Sequence, residues 1–145
     1  MPKFSYKFES VKRVKEVLEK KAQKEVAVIE MEIEKWCKEQ KRLQAEEQNF
    51  GVNISGRTYS IADLKYQKSY QYLLQKKIEA VIIQIDKLKV RKQQKLNELI
   101  QKSKEHKIFS TLEENYLAEF NYEQNKIELS QIDEIATQKF VRKQK

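Results

Sequence analysis

The chain is almost free of residues that interrupt a helix. Its 145 residues include only two glycines, Gly51 and Gly56, and one proline, Pro2. Because glycine and proline are the usual punctuation between elements, regular structure should break essentially once, near the two glycines. Charged residues make up 36% of the chain and hydrophobic residues 39%, which leaves little material for a wide core. The sequence therefore predicts long helices in an elongated molecule.

Apolar residues recur along the chain at alternating steps of three and four. Before the glycines they lie at Phe4, Phe8, Val11, Leu18, Ala22, Val26, Ile29, Ile33, Trp36, Leu43 and Phe50. After the glycines the pattern resumes at Leu74, Ile78, Val81, Ile85, Leu88, Leu96 and Leu99. Steps that average about 3.5 keep one seam of each helix facing a partner helix, which is the pattern of a coiled coil.

The predicted fold is all-α: a long antiparallel two-helix coiled coil that forms a single domain over residues 1–145. Helix one is expected over about 3–50, with Pro2 at its start, where the first-turn N–H groups have no intrahelical partner. A loop or tip is expected over about 51–60, and helix two over about 61–140, with Ser60 and Asp63 resembling a capping box. Neither helix would be stable alone with a half-apolar stripe, so the two should pair across the loop.

One register matches apolar residues with apolar residues in four layers. It sets the series Phe8, Lys15, Ala22, Ile29, Trp36, Leu43, Phe50 against Phe120, Glu113, His106, Leu99, Lys92, Ile85, Ile78. In this pairing Lys15 meets Glu113, and such an ion pair selects the register more than it stabilises the fold.

Cysteine usage, hydropathy and charge limit the class of protein. Cys37 is the single cysteine, so a disulfide framework is excluded. The longest apolar run, residues 80–83, is far shorter than a bilayer span, and residues 1–25 lack a signal-peptide pattern. We expect a cytoplasmic protein. The net charge of +8 is concentrated in residues 76–107, whereas residues 113–134 are acidic.

The sequence carries no recognisable catalytic or cofactor motif. There is no glycine-rich phosphate loop and no Cys/His cluster, so we expect no enzymatic activity and no cofactor or metal. His106 and Cys37 are interpreted as packing residues of the helices. The neighbouring acids Glu113 and Glu114, like Asp133 and Glu134, point about 100° apart on a helix and do not converge on a metal.

Both ends of the chain resemble the FliJ family of flagellar export proteins. The N-terminal stretch Phe4-x-Tyr6-x-Phe8-Glu9-x-Val11, followed by Arg13-Val14-Lys15-Glu16, is similar to the opening of the family. The C-terminal stretch with Glu128 and Ile132-Asp133-Glu134-Ile135-Ala136 resembles its most recognisable signature. The length and the central break agree with the family as well.

The resemblance implies a fold and a role. Family members are antiparallel two-helix coiled coils similar to the central stalk subunit of rotary ATPases. They stimulate the hexameric flagellar export ATPase and link its ring to the membrane export gate, on the inner face of the membrane at the base of the flagellum. Escort of export chaperones is also attributed to the family.

The resemblance also implies two sets of binding residues. The set expected to contact the ATPase ring is Phe4, Phe8, Arg13, Glu128, Ile132, Asp133, Glu134 and Lys139. The set expected to contact the export gate is Leu43, Phe50, Leu74, Ile78, Val81 and Ile85. The second set has the spacing of the seam, so packing between the helices explains it equally well.

Two other functions remain open on the sequence. A generic coiled-coil scaffold would oligomerise through the seam and leave an ATPase unaffected. A binder of nucleic acid or anionic membrane would use residues 76–107 and would lose affinity steeply with salt.

Overall fold

The computed structural model describes residues 2–54 and 60–145 and contains two helices. Helix α1 runs over Glu9–Ile54 and helix α2 over Ile61–Lys143. The described residues include no strand, and the two helices pack against each other. The prediction of an all-α two-helix coiled coil is therefore confirmed. Within the described residues, neither helix has a stretch long and apolar enough to cross a bilayer.

Helix α2 begins at the predicted capping box. The backbone N–H of Asp63 donates to Ser60 Oγ at 3.2 Å, and Ser60 Oγ donates to Asp63 Oδ2 at 2.8 Å. The Ser60 backbone N–H also lies 3.4 Å from the same carboxylate oxygen. These contacts satisfy N–H groups that the first turn leaves without helical partners, and the negative charge of Asp63 favours the N-terminal end of the helix dipole.

Helix α1 begins at Glu9 rather than near residue 3. Residues 2–6 have no regular structure, and Tyr6 accepts a hydrogen bond from the Glu9 backbone N–H at 3.3 Å. The aromatic residues at positions 4, 6 and 8 alternate with polar residues at a period of two, which fits extended chain better than helix. The expectation that Pro2 starts the helix was therefore wrong.

The first helix also continues past its predicted end. Gly51 is helical, and a Cβ added there would meet no atom within 4 Å. Glycine costs about 1 kcal/mol in a helix interior relative to alanine, so one glycine is too weak a signal to end this helix. Residues 55–59 of the predicted loop, including Gly56, lie outside the described residues, and so does the number of short helices at the tip.

The chain divides into two compact units. Unit 1 comprises residues 1–19 and 101–145, and unit 2 comprises residues 20–100. Each unit contains a part of both helices.

Unit 2 is held together by an aliphatic core. Leu74 is only 1% exposed and packs with four other buried residues, namely Leu43, Ile78, Val81 and Ile85. Trp36, Cys37 and Tyr70 pack against this cluster while remaining partly exposed. Burying one such aliphatic side chain contributes about 1.5–3 kcal/mol, and Ala22, Val26, Ile29 and Leu88 of unit 2 are buried as well.

Unit 1 is held together by aromatic rings from the N-terminal segment and α2. Phe4 stacks on Phe120 with ring centroids 5.6 Å apart, and Phe8 lies 6.5 Å from Tyr116. Tyr6 is the most buried of these residues, at 7% exposure, and its hydroxyl donates to the Phe109 carbonyl at 2.8 Å. Burial raises the pKa of the Tyr6 hydroxyl, and the carboxylate of Glu113 raises it further.

Ion pairs join α1 and α2 in both units, but the helix that supplies the positive charge differs between the units. In unit 1 the cations come from α1: Lys12 binds Glu113, and Lys15 Nζ lies 2.9 Å from Glu105 Oε2. In unit 2 the cations come from α2, where Lys95 and Lys92 reach Glu25 and Glu30 at 3.3 and 3.2 Å.

The helix register differs from the one predicted. Glu113 pairs with Lys12 instead of Lys15, Lys15 pairs with Glu105, and Phe120 packs on Phe4 instead of Phe8. The shift is about one to two helical turns. An apolar seam that repeats every seven residues gives similar packing after such a shift, so the contacts outside the seam decide between registers.

Cysteine crosslinking would test this register. In a Cys37→Ser background, a bifunctional thiol reagent with a short spacer should link the pair Phe4→Cys and Phe120→Cys readily, because the side chains at these positions are in contact. The pair Phe8→Cys and Phe120→Cys, which belongs to the predicted register, is the matched control and should crosslink poorly. The reverse order of yields, measured by non-reducing electrophoresis, would contradict the observed register.

The Lys15–Glu105 pair should make the stability of the protein depend on acidic pH. The hydrogen bond from Lys15 lowers the pKa of the Glu105 carboxyl below its usual 4.5. Its contribution should be complete above pH 4.5 and should disappear as the pH falls through the lowered pKa of the folded state. The difference in Tm between wild type and Glu105→Gln should shrink over that range. A difference that stays constant with pH would show that the ionic contact does not stabilise the fold.

Candidate partner-binding surfaces

The last part of α2, residues 125–145, has no partner in the structure and is called here the C-terminal segment. Every residue in it is exposed. The N-terminal residues reach along α2 as far as Phe120, which contacts Phe4, and Glu123, which borders the same groove as Phe4. Beyond that point α2 continues as a helix without contact to α1, and it remains helical to Lys143.

One face of the C-terminal segment is apolar. Leu129, Ile132, Ala136 and Phe140 follow one another at steps of three and four, so they share a face of the helix. Ile132 is 60% exposed and Phe140 is 62% exposed. A helix normally buries such a stripe, and an exposed apolar stripe beside charged residues is typical of a surface that binds another protein.

Charged residues flank the apolar face of the segment. Glu128, Asp133, Glu134 and Lys139 are all exposed. Thr137 Oγ1 donates to the Asp133 backbone carbonyl at 2.8 Å, which leaves the Asp133 carboxylate facing solvent. These four residues and Ile132 are therefore accessible, as binding to the ATPase ring would require.

The remaining residues expected at the ATPase ring have other surroundings. Phe4 and Phe8 belong to the aromatic cluster of unit 1 and are partly buried. Arg13 is exposed, and its Nε lies 3.3 Å from Glu9 Oε1 within the first turns of α1. The structure thus places the two phenylalanines in packing contacts, whereas Arg13 lies on the surface.

The sequence analysis missed Tyr6, the most buried aromatic residue of unit 1. Its ring lies 6.1 Å from that of Tyr116, and its hydroxyl is hydrogen bonded to α2. The alternation of aromatic and polar residues over positions 4–8 could have indicated an extended segment whose side chains point the same way. Tyr6 anchors that segment to α2.

The residues expected at the export gate are mostly buried. Leu43, Leu74, Ile78, Val81 and Ile85 form the core of unit 2. Phe50 is partly exposed and stacks on Tyr70, with centroids 4.8 Å apart. The stripe is buried because its three-and-four spacing is also the spacing of the seam between the helices.

Exposed apolar residues lie beside that buried stripe on α2. They are Leu73, Ile82 and Ile83, of which Ile83 is 55% exposed. Leu73 directly precedes the buried Leu74, and Ile82 and Ile83 come one and two residues after the buried Val81. Successive side chains on a helix point about 100° apart, so these three side chains point away from the seam. A partner can reach them without separating α1 from α2.

The side chains of His106, Ser103 and Cys37, which could in principle take part in catalysis, contact other side chains of the helix pair. His106 Nδ1 lies 2.6 Å from Glu19 Oε2, and Ser103 Oγ donates to the other oxygen of Glu19 at 2.9 Å. Cys37 packs beside the core of unit 2. Among residues 2–54 and 60–145, no group of three or more His, Cys, Asp or Glu side chains could hold a metal ion.

Comparison with known proteins agrees with these features. The model of the family described as the flagellar FliJ protein matches residues 4–145. No curated protein and no solved structure matches the chain. The family match takes in the N-terminal aromatic segment, both helices and the exposed C-terminal segment. On this match over nearly its whole length, the chain belongs to the FliJ family of flagellar proteins, which gives it a role in flagellar protein export.

Proposed function

We propose that the protein is a stalk that inserts its C-terminal segment into the ring of the flagellar export ATPase and stimulates ATP hydrolysis without performing chemistry itself. The observation that carries this proposal is the unpartnered helix over residues 125–143 with its exposed apolar stripe. A single helix is about 10 Å wide, which suits insertion into the centre of a protein ring. Membership of the family supports the flagellar export ATPase as the ring.

The charged residues of the segment fit this proposal. Glu128, Asp133 and Glu134 can pair with cations lining the ring, while Ile132 and Phe140 bury apolar area against it. Phe4 and Phe8 act indirectly, because they hold the N-terminal residues against α2 just before the segment begins. Arg13 adds an exposed cation to the same unit.

The other proposed partners are the export gate and the export chaperones. For the gate, unit 2 offers the exposed residues beside the buried stripe, and contact with Leu43, Leu74 or Ile78 themselves would require α1 to move away. Escort of chaperones rests on family membership alone. These partners would place the protein in the cytoplasm at the base of the flagellum.

The stalk role can be tested by steady-state ATP turnover of the cognate export ATPase with and without the protein. Wild-type protein should raise turnover, and Ile132→Asp should abolish most of the increase because it puts a charge on the apolar stripe. The double substitution Asp133→Lys, Glu134→Lys should weaken the complex with the ATPase, because it reverses the charge at two exposed positions of the C-terminal segment.

A matched control is Val90→Asp, which changes an exposed valine of unit 2 in the same way. It should stimulate as wild type does. All variants should keep their helicity by circular dichroism, since each changed residue is exposed. No effect of wild-type protein on turnover or ring assembly would exclude the stalk role and favour a generic scaffold.

The gate contact can be tested with the cytoplasmic domain of the cognate export-gate protein. We expect Ile83→Asp to weaken binding and leave Tm unchanged, because Ile83 is exposed. Ile78→Asp should lower Tm strongly, because it buries a charge in the core. If the Ile83→Asp variant bound the gate domain as tightly as wild type, the exposed face of α2 would not take part in the gate contact.

A further inference from the structure

A groove runs along unit 2 between α1 and α2. It has a volume of about 340 Å³ and is bordered on α1 by Lys21, Lys24, Val28 and Glu32 and on α2 by Arg91 and Lys95. The α1 residues recur at steps of three and four over about three helical turns, so the groove follows the helix axis for about 16 Å. On α2 it is bordered over about one turn, between Arg91 and Lys95, so it lies between the two helices where a third helix could pack beside the pair.

The charge of the groove is predominantly positive. Four cationic side chains line it against the two carboxylates of Glu25 and Glu32. Glu25 is already neutralised by Lys95, whose ammonium lies 3.3 Å from it. Among the described residues, no carboxylate lies within ion-pair distance of Lys21, Lys24 or Arg91. Three cations from two helices therefore point to solvent around one groove.

The groove also has an apolar surface between its charges. Val28 lines the groove and is 53% exposed, so it supplies the accessible apolar contact, whereas Ile29 also lines the groove but is 3% exposed. Apolar side chains in a helical groove with cations at its borders complement a helix that has an apolar face and acidic edges.

We propose that this groove binds an acidic amphipathic helix of a partner protein, which packs as a third helix against Val28. Its glutamates or aspartates pair with Lys21 and Lys24 on one side and with Arg91 on the other. The residues of the groove belong to unit 2, whereas the C-terminal segment belongs to unit 1.

A helix fits the groove better than a nucleic acid does. Phosphates form a continuous line of negative charge, and Glu25 and Glu32 would lie against that line. No aromatic side chain lines the groove, although stacking on aromatic rings is a main contribution to the binding of single strands. A protein helix can instead place an uncharged or basic residue opposite each carboxylate.

The proposal can be tested on the full chain with a labelled peptide and fluorescence anisotropy. The probe is a three-heptad peptide with leucine at the two core positions and glutamate at the flanking positions. Repulsion between its glutamates keeps it from pairing with itself. A peptide with lysine at the flanking positions and a double-stranded oligonucleotide are the control ligands. The acidic peptide should bind, and salt should weaken its binding.

Two charge variants separate the groove from the general basic surface. Lys24→Glu with Arg91→Glu should weaken peptide binding by about tenfold, because both changes put repulsive charges at the borders of the groove. Lys41→Glu with Lys89→Glu makes the same change at one exposed lysine of each helix outside the groove, and should alter affinity by less than about twofold. Val28→Asp should also weaken binding, whereas Val90→Asp should not.

Several results would overturn the proposal. They are absence of peptide binding at low salt, equal binding of the lysine peptide, and wild-type affinity in the Lys24→Glu, Arg91→Glu variant. Tighter binding of the oligonucleotide that is lost in the same variant would assign the groove to a nucleic acid instead. Circular dichroism should show that every variant keeps the helical content of the wild type.

Discussion

Two helices that pack only against each other share a single narrow seam, and most other properties of this protein follow from that constraint. In unit 2 the seam buries Leu43, Leu74, Ile78, Val81 and Ile85, and the residues on either side of them are already in contact with solvent. A seam this narrow provides limited apolar burial and repeats every seven residues. It can therefore hold the helices together without specifying how they are aligned.

The charges beside the seam supply the alignment. In unit 1, Lys12 and Lys15 of α1 face acids of α2, and in unit 2 the acid Glu25 of α1 faces Lys95 of α2. Helix α1 supplies the cations of these pairs in unit 1 and the carboxylates in unit 2, whereas α2 supplies the opposite charges. A parallel pairing of the helices, or a shift of many residues, would therefore bring like charges together. Each exposed pair stabilises the fold by at most about 1 kcal/mol, so the effect of these pairs is mainly to exclude other registers.

The features that local sequence patterns determine could be predicted from the sequence. Features for which two arrangements of the chain have similar energy could not. The two helices and the Ser60 cap follow from periodicity and a three-residue spacing, and both are present. The register failed because Glu113 can meet either Lys12 or Lys15 without disturbing the apolar seam. The accessible face of the C-terminal segment could be predicted from its signature residues. The burial of Tyr6 depends on an extended segment that the helical pattern concealed.

The narrow seam also determines which surface of α2 a partner can bind without separating the helices. A protein that displaced α1 would cover Leu74 and Ile78 again but would leave Leu43 and Trp36 without contacts. Exposing a buried aliphatic side chain such as Leu43 costs about 1.5–3 kcal/mol, and the lost contacts of the partly buried Trp36 add to this cost, which is a substantial part of the roughly 8 kcal/mol of a micromolar complex. A partner that covers Ile83 loses nothing of this kind, since Ile83 is already exposed. Binding to the outer faces of the helix pair is therefore favoured over binding that opens it.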